Sequence, residues 1–144
     1  AMAVFTATWN GIPLVYSGQE LPNHKRLRFF EKDEIPWREN CSLHGFYKTL
    51  LELRKTHPAL KAGCKENFTY ILNTEMEQVL AYLRLSGNKQ VLVVLNFSPA
   101  PLILPLLDFR LQGQFTDVFD SRVYDLGNLR EIGINEWGYR VLQR

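Results

Sequence analysis

The sequence predicts an α+β chain in which a βα unit precedes an antiparallel β-sandwich. Two observations lead there. The run Ile12–Tyr16 is apolar at every position, and after a polar stretch an amphipathic pattern follows at Ser42–Thr56. That order is strand, loop and helix. The rest of the chain carries short runs rich in Val, Ile, Leu and aromatic residues, divided by Gly, Pro and Asn. Such spacing is typical of several antiparallel strands packed as a sandwich. The two regions are assigned to residues 1–63 and 64–144, and no internal repeat or low-complexity tract crosses either.

The elements follow in order. Ala3–Trp9 reads as the last turns of a helix, stopped by Asn10-Gly11, residue types that close helices. Ile12–Tyr16, flanked by Gly11 and Ser17-Gly18, suits a parallel strand buried on both faces. Pro13 is tolerable there only because it stands at the strand's start. Residues 21–40 form a long polar connection. It holds a basic cluster (His24, Lys25, Arg26, Arg28), the pair Phe29-Phe30, an acidic patch (Glu31, Asp33, Glu34) and Ile35-Pro36-Trp37. Loops this long within a compact domain are usually functional or partly structured. The helix at Ser42–Thr56 presents Leu43, Phe46, Tyr47, Leu50 and Leu51 at i, i+3, i+4, i+7 and i+8, an apolar stripe. Ser42 is the expected N-cap. Arg54, Lys55 and His57 favour the helix C-terminus, and Pro58 ends it.

In the second region Phe68–Leu72 is one strand. Val79–Ser86 and Gln90–Phe97 pair across Gly87-Asn88-Lys89 as a hairpin. Gln90–Phe97 (QVLVVLNF) has the most buried character of all. Ser98–Pro105 contains three prolines and is expected on an edge or in a loop. Leu102–Leu104, Gly113–Val118, Arg130–Ile134 and Gly138–Gln143 complete the set.

Composition bounds the function. The chain has 144 residues, 46% of them hydrophobic, enough for one domain or a domain plus a fragment. Charged residues are 22% and the formal net charge is +2, which gives no pull towards nucleic acid or an anionic membrane. The acidic run at 31–34 offsets the basic cluster at 24–28, so no nucleic-acid partner is expected. No apolar run approaches the ~18 residues that span a bilayer. The N-terminal stretch has neither the basic start nor the long apolar core of a signal peptide. It reads as cut from a longer chain, with any targeting signal upstream, so localisation is left unassigned.

Cys41 and Cys64 fall at opposite ends of the expected helix, which spans roughly 20 Å, whereas a disulfide needs Cα atoms within about 7 Å. Both are read as free thiols. His44 and His57 have no partner at metal-ligand spacing and are read as structural; no metal or cofactor is expected. The triplets at Asn40, Asn67 and Asn96 fit a glycosylation pattern that is common by chance.

A strand, Gly-Gln-Glu, a polar loop and an amphipathic helix make a βα unit, and in a (β/α)₈ barrel the chemistry sits at the C-terminal ends of the strands. The residues themselves carry a closer likeness. Gly11–Glu20 (GIPLVYSGQE) resembles the eighth-strand motif of the α-amylase family of glycoside hydrolases. Lys25–Trp37 (KRLRFFEKDEIPW) resembles the loop that follows it in many bacterial members. Phe46-Tyr47, Leu50-Leu51, Leu53-Arg54-Lys55 and His57-Pro58-Ala59-Leu60 resemble the final barrel helix and its exit. Val94–Ser98 (VLNFS) and Trp137–Leu142 (WGYRVL) are similar to parts of the C-terminal β-domain. The resemblance covers nearly the whole chain. It implies a C-terminal fragment: the terminal βα unit of a (β/α)₈ barrel, residues 1–63, followed by an antiparallel β-sandwich domain, residues 64–144.

For the intact enzyme the resemblance implies retaining cleavage or transfer on an α-glucan or maltooligosaccharide. Such chemistry uses two carboxylates about 5 Å apart. In the family these residues precede the eighth strand, yet only ten residues precede Gly11 here and none is acidic. No catalytic residue is therefore expected in this chain, which is expected to be inactive alone.

Four residues are candidates for the substrate rim: Gln19, Glu20, Arg26 and Arg28. Gln19 and Glu20 either line a sugar subsite or orient neighbouring loops, and the second reading is preferred. Arg26 and Arg28 either pair with carboxylates of other strands or belong to a solvated loop, with nothing to choose between these. Glu31, Asp33 and Glu34 read as a surface cluster. Phe29, Phe30 and Trp37 are expected to pack the loop onto the barrel, and Trp137 to sit in the core or at the edge of the β-domain. Two other functions stay open. The β-region can be a starch-binding module, offering Tyr70, Tyr82, Phe115, Phe119, Tyr124, Trp137 and Tyr139. The chain can also self-associate, because an isolated strand and helix leave an apolar face uncovered.

Overall fold

The computed structural model describes residues 1–21, 23, 25–37 and 39–144. His24 of the basic cluster lies outside the described residues. Two α-helices, α1 (Met2–Thr8) and α2 (His44–Thr56), precede a 3₁₀ turn at Pro58–Leu60. Eight strands follow: β1 (Phe68–Leu72), β2 (Val79–Ser86), β3 (Lys89–Asn96), β4 (Leu102–Pro105), β5 (Gln114–Asp117), β6 (Val123–Asp125), β7 (Glu131–Ile134) and β8 (Tyr139–Gln143).

Six strands form one antiparallel sheet in the order β1-β2-β3-β8-β5-β6, and β4 pairs with β7 in a separate ribbon. Side chains alternate across a strand, and β3 fills both sides of the sheet. Leu92 and Val94 point towards the β4–β7 ribbon, where they join Ala81, Leu83, Leu104, Phe115, Ile132, Ile134 and Leu142. Val91, Val93 and Leu95 point the other way, towards Val4, Leu50, Leu53, Leu60, Tyr82 and Val141. The central strand is thus buried on both faces, which explains the unbroken apolar run that marks it in the sequence. Full burial of each such Leu or Val is worth about 1.5–3 kcal/mol. The sheet lies between the ribbon on one side and the two helices on the other.

The β2–β3 hairpin pairs Ser86 with Lys89. Its turn is therefore Gly87-Asn88, one residue shorter than expected, and Gly87 takes φ +57°, a left-handed conformation that glycine adopts freely. Strand β6 has no counterpart in the sequence reading, since three residues are too few to show alternation.

Three local expectations are corrected. Residues Ile12–Tyr16 form no strand: they have no ladder partner among the described residues, and Ile12 and Leu14 are 88% and 76% exposed. A strand apolar on both faces needs neighbours on both edges, and no other segment among the described residues supplies one. At α2 the N-cap is Leu43, without a side-chain bond, in place of Ser42. The helix buries Leu50 and Leu53 on the sheet, with Phe46 packed beside them. Leu51, expected in the buried stripe, is exposed. The helix therefore has two apolar sides, and the sheet covers one of them.

Buried polar groups tie the helices to the sheet. Thr8 Oγ1 and Tyr82 Oη share a 2.5 Å hydrogen bond. Arg54, expected to favour the C-terminus of its own helix, instead closes that of α1. Its guanidinium donates to the carbonyls of Ala7 (3.2 Å), Trp9 (2.7 Å) and Gly11, which satisfies acceptors that a helix end leaves open. Both cysteines are free, as expected.

His57 fits its structural reading and carries a pH dependence. It is buried, and its Nδ1 accepts from Ala59 N at 3.3 Å as the cap of the 3₁₀ turn. Its Nε2 is buried without a hydrogen-bond partner. Burial holds the imidazole below its ordinary pKa, which is about 6.5. On acidification the unfolded chain takes up this proton first. The contribution to stability is then complete above about pH 6.5 and is lost as the pH falls below that towards the folded-state value. Urea midpoints measured from pH 7.5 to 5 should decline on the acid side. His57→Asn, which keeps a capping acceptor, should flatten that decline; an unchanged slope would assign it to other groups.

Candidate functional site

The segment Tyr16–Leu21 is folded by its own backbone. Gln19 N donates to Tyr16 O at 3.0 Å and Leu21 N to Gly18 O at 3.1 Å. Gly18 sits at φ +91° with Ile35 close behind it, a conformation that glycine permits and side chains resist. The Gln19 side chain accepts from Tyr16 N at 2.7 Å through Oε1. Glu20 Oε2 accepts from Gly18 N at 3.2 Å, and its carbonyl receives Leu43 N at 3.1 Å, one residue before α2. In the described structure both side chains thus bond within their own turn, and Glu20 also joins that turn to the start of α2.

Beside this turn lies an open groove between residues 13–20 and the uncovered side of α2. Val15, Glu20, His44, Tyr47 and Leu51 line one stretch of it, and Met2, Pro13, Leu14 and Gln19 border the adjoining one. Burial, and then the Glu20 carboxylate, raise the pKa of Tyr47. The groove is mostly apolar, with Gln19 and Glu20 as polar marks along one wall.

The two arginines are not brought to this groove. Arg26 is exposed, and Arg28 pairs with Glu31, both ends lying in solvent. Arg28 N donates to Asp33 Oδ2 at 3.1 Å. Lys25 pairs with the Asp33 carboxylate, and that bond with the backbone donors of Arg28 and Glu34 lowers the Asp33 pKa to about 2. The acidic patch is therefore engaged with the basic cluster as a surface network, in line with the expected surface cluster of Glu31, Asp33 and Glu34. Exposed pairs of this kind contribute little to stability.

The aromatics divide. Phe29 and Phe30 are 91% and 93% exposed, stacked edge to face on each other, and Trp37 is exposed. The faces expected to pack on a barrel are thus open among the described residues. Among the β-region aromatics, Tyr82 and Phe115 are fully buried core residues, whereas Tyr70 and Trp137 are exposed. Trp137 lies in the turn between β7 and β8, outside the core. Asn96, one of the three glycosylation-type triplets, has no solvent exposure and its amide is fully bonded. Among the described residues no group of three or more His, Cys, Asp or Glu is arranged to hold a metal ion.

The fold describes an α+β chain whose larger part is an antiparallel β-domain, with two helices on one face of its sheet. The family profile for the C-terminal domain of maltogenic amylase matches residues 69–141. The chain belongs to that family, the C-terminal region of enzymes of the α-amylase family. Alpha-amylase 2 of Dictyoglomus thermophilum is 27% identical over 134 residues, covering 85% of this chain and 22% of that protein. The oligo-1,6-glucosidase of Parageobacillus thermoglucosidasius is 31% identical over 124 residues, covering 83% and 20%. The chain thus spans about a fifth of the length of these curated relatives. Among solved structures, the noncanonic maltogenic alpha-amylase AmyB from Thermotoga neapolitana superposes with a TM-score of 0.74 at 23% identity, over 99% of this chain and 35% of that one. AmyP in complex with maltose gives 0.73 at 17% identity, over 98% and 33%. These two likenesses show the fold.

Proposed function

We propose that this chain closes and braces the catalytic barrel of an α-glucan-cleaving enzyme. Residues 1–63 supply the last βα unit of a (β/α)₈ barrel, and residues 64–144 supply the β-domain behind it. The observation that carries this reading is the unpaired run Ile12–Tyr16, whose side chains suit the interior of a sheet and lie exposed here. The second apolar side of α2, with Tyr47 and Leu51 in the groove, supports it independently. Both surfaces fit the neighbouring strand and helix of a barrel.

In this reading Gln19 and Glu20 hold the turn at the rim in shape. Arg26 and Arg28 sit on the loop above it, where carboxylates of other strands come within reach. Phe29, Phe30 and Trp37 are the loop's contacts with the rest of the barrel. Substrate and chemistry belong to the whole enzyme: an α-glucan or maltooligosaccharide, cut with retention by carboxylates elsewhere in the barrel.

Two measurements test this. The purified 144-residue chain should release no reducing sugar from soluble starch or maltooligosaccharides; turnover would place the catalytic groups within it. Light scattering should show a dimer or larger species, because the exposed apolar run and groove associate when nothing covers them. A monomer whose amides at 12–16 resist hydrogen exchange would overturn that expectation.

A further inference from the structure

The sequence holds a single Asn-Gly pair, Asn10-Gly11, and it stands where α1 ends and the run Ile12–Tyr16 begins. Both residues are exposed. Gly11 takes φ +107°, and the space beside its Cα is open. Glycine adopts that backbone freely and other residues resist it. The turn therefore calls for a residue with no side chain to shield its own amide nitrogen.

The Asn10 side chain is held at one end. Its Oδ1 accepts from Arg84 Nη1. Among the described residues neither its Nδ2 nor Gly11 N takes part in a hydrogen bond. A cationic donor on a carbonyl oxygen stabilises the negative charge that a nucleophile creates there. A second guanidinium, that of Arg54, lies on the carbonyls of Trp9 (2.7 Å) and Gly11, on either side of the Asn10–Gly11 peptide. Nearby positive charge favours the deprotonated form of a nitrogen acid. Arg84 for its part is buried, and among the described residues it has no carboxylate partner.

We propose that Asn10 is a self-modification site whose aspartate product becomes the counter-ion of Arg84. Gly11 N gives its proton to solvent and bonds to Asn10 Cγ, closing a succinimide. The Cγ–Nδ2 bond breaks, and the nitrogen takes a proton from water and leaves as ammonia. Water then opens the ring. Attack at Cγ leaves an aspartate on an unaltered main chain, and attack at the main-chain carbonyl leaves an isoaspartate. Arg84 sits on the Cγ oxygen, so it directs water to Cγ. The new carboxylate keeps the amide's place on Arg84, now with a charge-assisted bond at both ends.

The test is to hold the purified chain at pH 8, folded and in urea, and to follow it by peptide mapping with mass spectrometry that separates aspartate from isoaspartate. In the folded chain Asn10 should convert ahead of the exposed Asn40 and Asn88. Its ratio of aspartate to isoaspartate should be at least about twice that of the unfolded chain, where no fixed donor selects Cγ. Asn10→Asp should raise the urea midpoint near neutral pH, and the gain should vanish when Arg84→Gln is added. If Arg84→Gln does not fold, the product ratio and the Asn10→Asp midpoint still decide. Conversion at Asn10 no faster than at Asn40 and Asn88, an equal product ratio in the folded and unfolded chains, or an Asn10→Asp midpoint at or below that of the parent would each overturn the proposal.

Discussion

Replacing Arg84 with Ala is expected to remove about 3–5 kcal/mol of folding stability. Arg84 is the largest side chain among the fully buried ones, at 1% exposure, and among the described residues no carboxylate pairs with it. Burial, and after it the nearby Arg54 charge, lower its pKa from the usual value. What holds the charge is a ring of neutral acceptors. Nε and Nη2 donate to Ala59 O at 3.2 and 3.0 Å, and Nη1 donates to Thr69 Oγ1 at 2.7 Å and to Asn10 Oδ1. Those acceptors lie on the 3₁₀ turn, on β1 and in the segment leaving α1, so one side chain on β2 joins three elements. Truncation opens a cavity and strands the Ala59 carbonyl without a donor. Arg84→Lys keeps the charge but not the planar fork, and should lose about half as much. Urea unfolding with an unchanged m-value would read the loss as a shift in midpoint. A midpoint within error of the parent for Arg84→Ala would show that the network contributes nothing net.

How far the fold could be read follows from which partners each segment needs. The β2–β3 hairpin was legible to within a residue because pattern and turn are both local: two apolar runs and a glycine-bearing turn between them. The helix α2 was legible as a helix, but the orientation of its apolar side was not. The stripe named Leu51 and omitted Leu53, whereas the sheet buries Leu50 and Leu53. Both choices satisfy a helical period, and only the position of the sheet separates them. The run Ile12–Tyr16 shows the opposite limit. Its composition suits a strand with neighbours on both edges, and without them it stays outside the sheet with Ile12, Leu14 and Tyr16 exposed. Gln19 and Glu20 could be picked out by type and place, but their bonds to Tyr16 N and Gly18 N depend on the turn they occupy.

Asn96→Asp should cost about 3–5 kcal/mol near neutral pH, although it exchanges one nearly isosteric group for another. Asn96 ends β3 with no solvent exposure, and each half of its amide is used twice. Nδ2 donates to Ala100 O at 2.7 Å and to Asn135 O at 2.9 Å. Oδ1 accepts from Ser98 N at 2.9 Å and from Ser98 Oγ at 2.8 Å. Two donors and two acceptors are all that an asparagine side chain offers. The residue therefore pins the turn after β3 to the turn between β7 and β8. A carboxylate keeps the Ser98 bonds but turns an oxygen towards two carbonyl oxygens, losing both donors and burying a charge without a counter-ion. Burial and those carbonyls would raise the new carboxyl's pKa in the folded state above its ordinary value of about 4. The folded variant then holds a proton that the unfolded chain releases. Its deficit is smallest below about pH 4 and grows as the pH rises through the folded-state value. The exposed Asn40, in the same kind of triplet, is the control, and its change to Asp should stay within about 0.5 kcal/mol. Comparing the two variants at pH 4 and pH 8 separates a buried, fully bonded amide from a surface one. Equal losses at both sites, or a deficit at Asn96 that does not vary with pH, would mean that the amide network is not what holds these turns together.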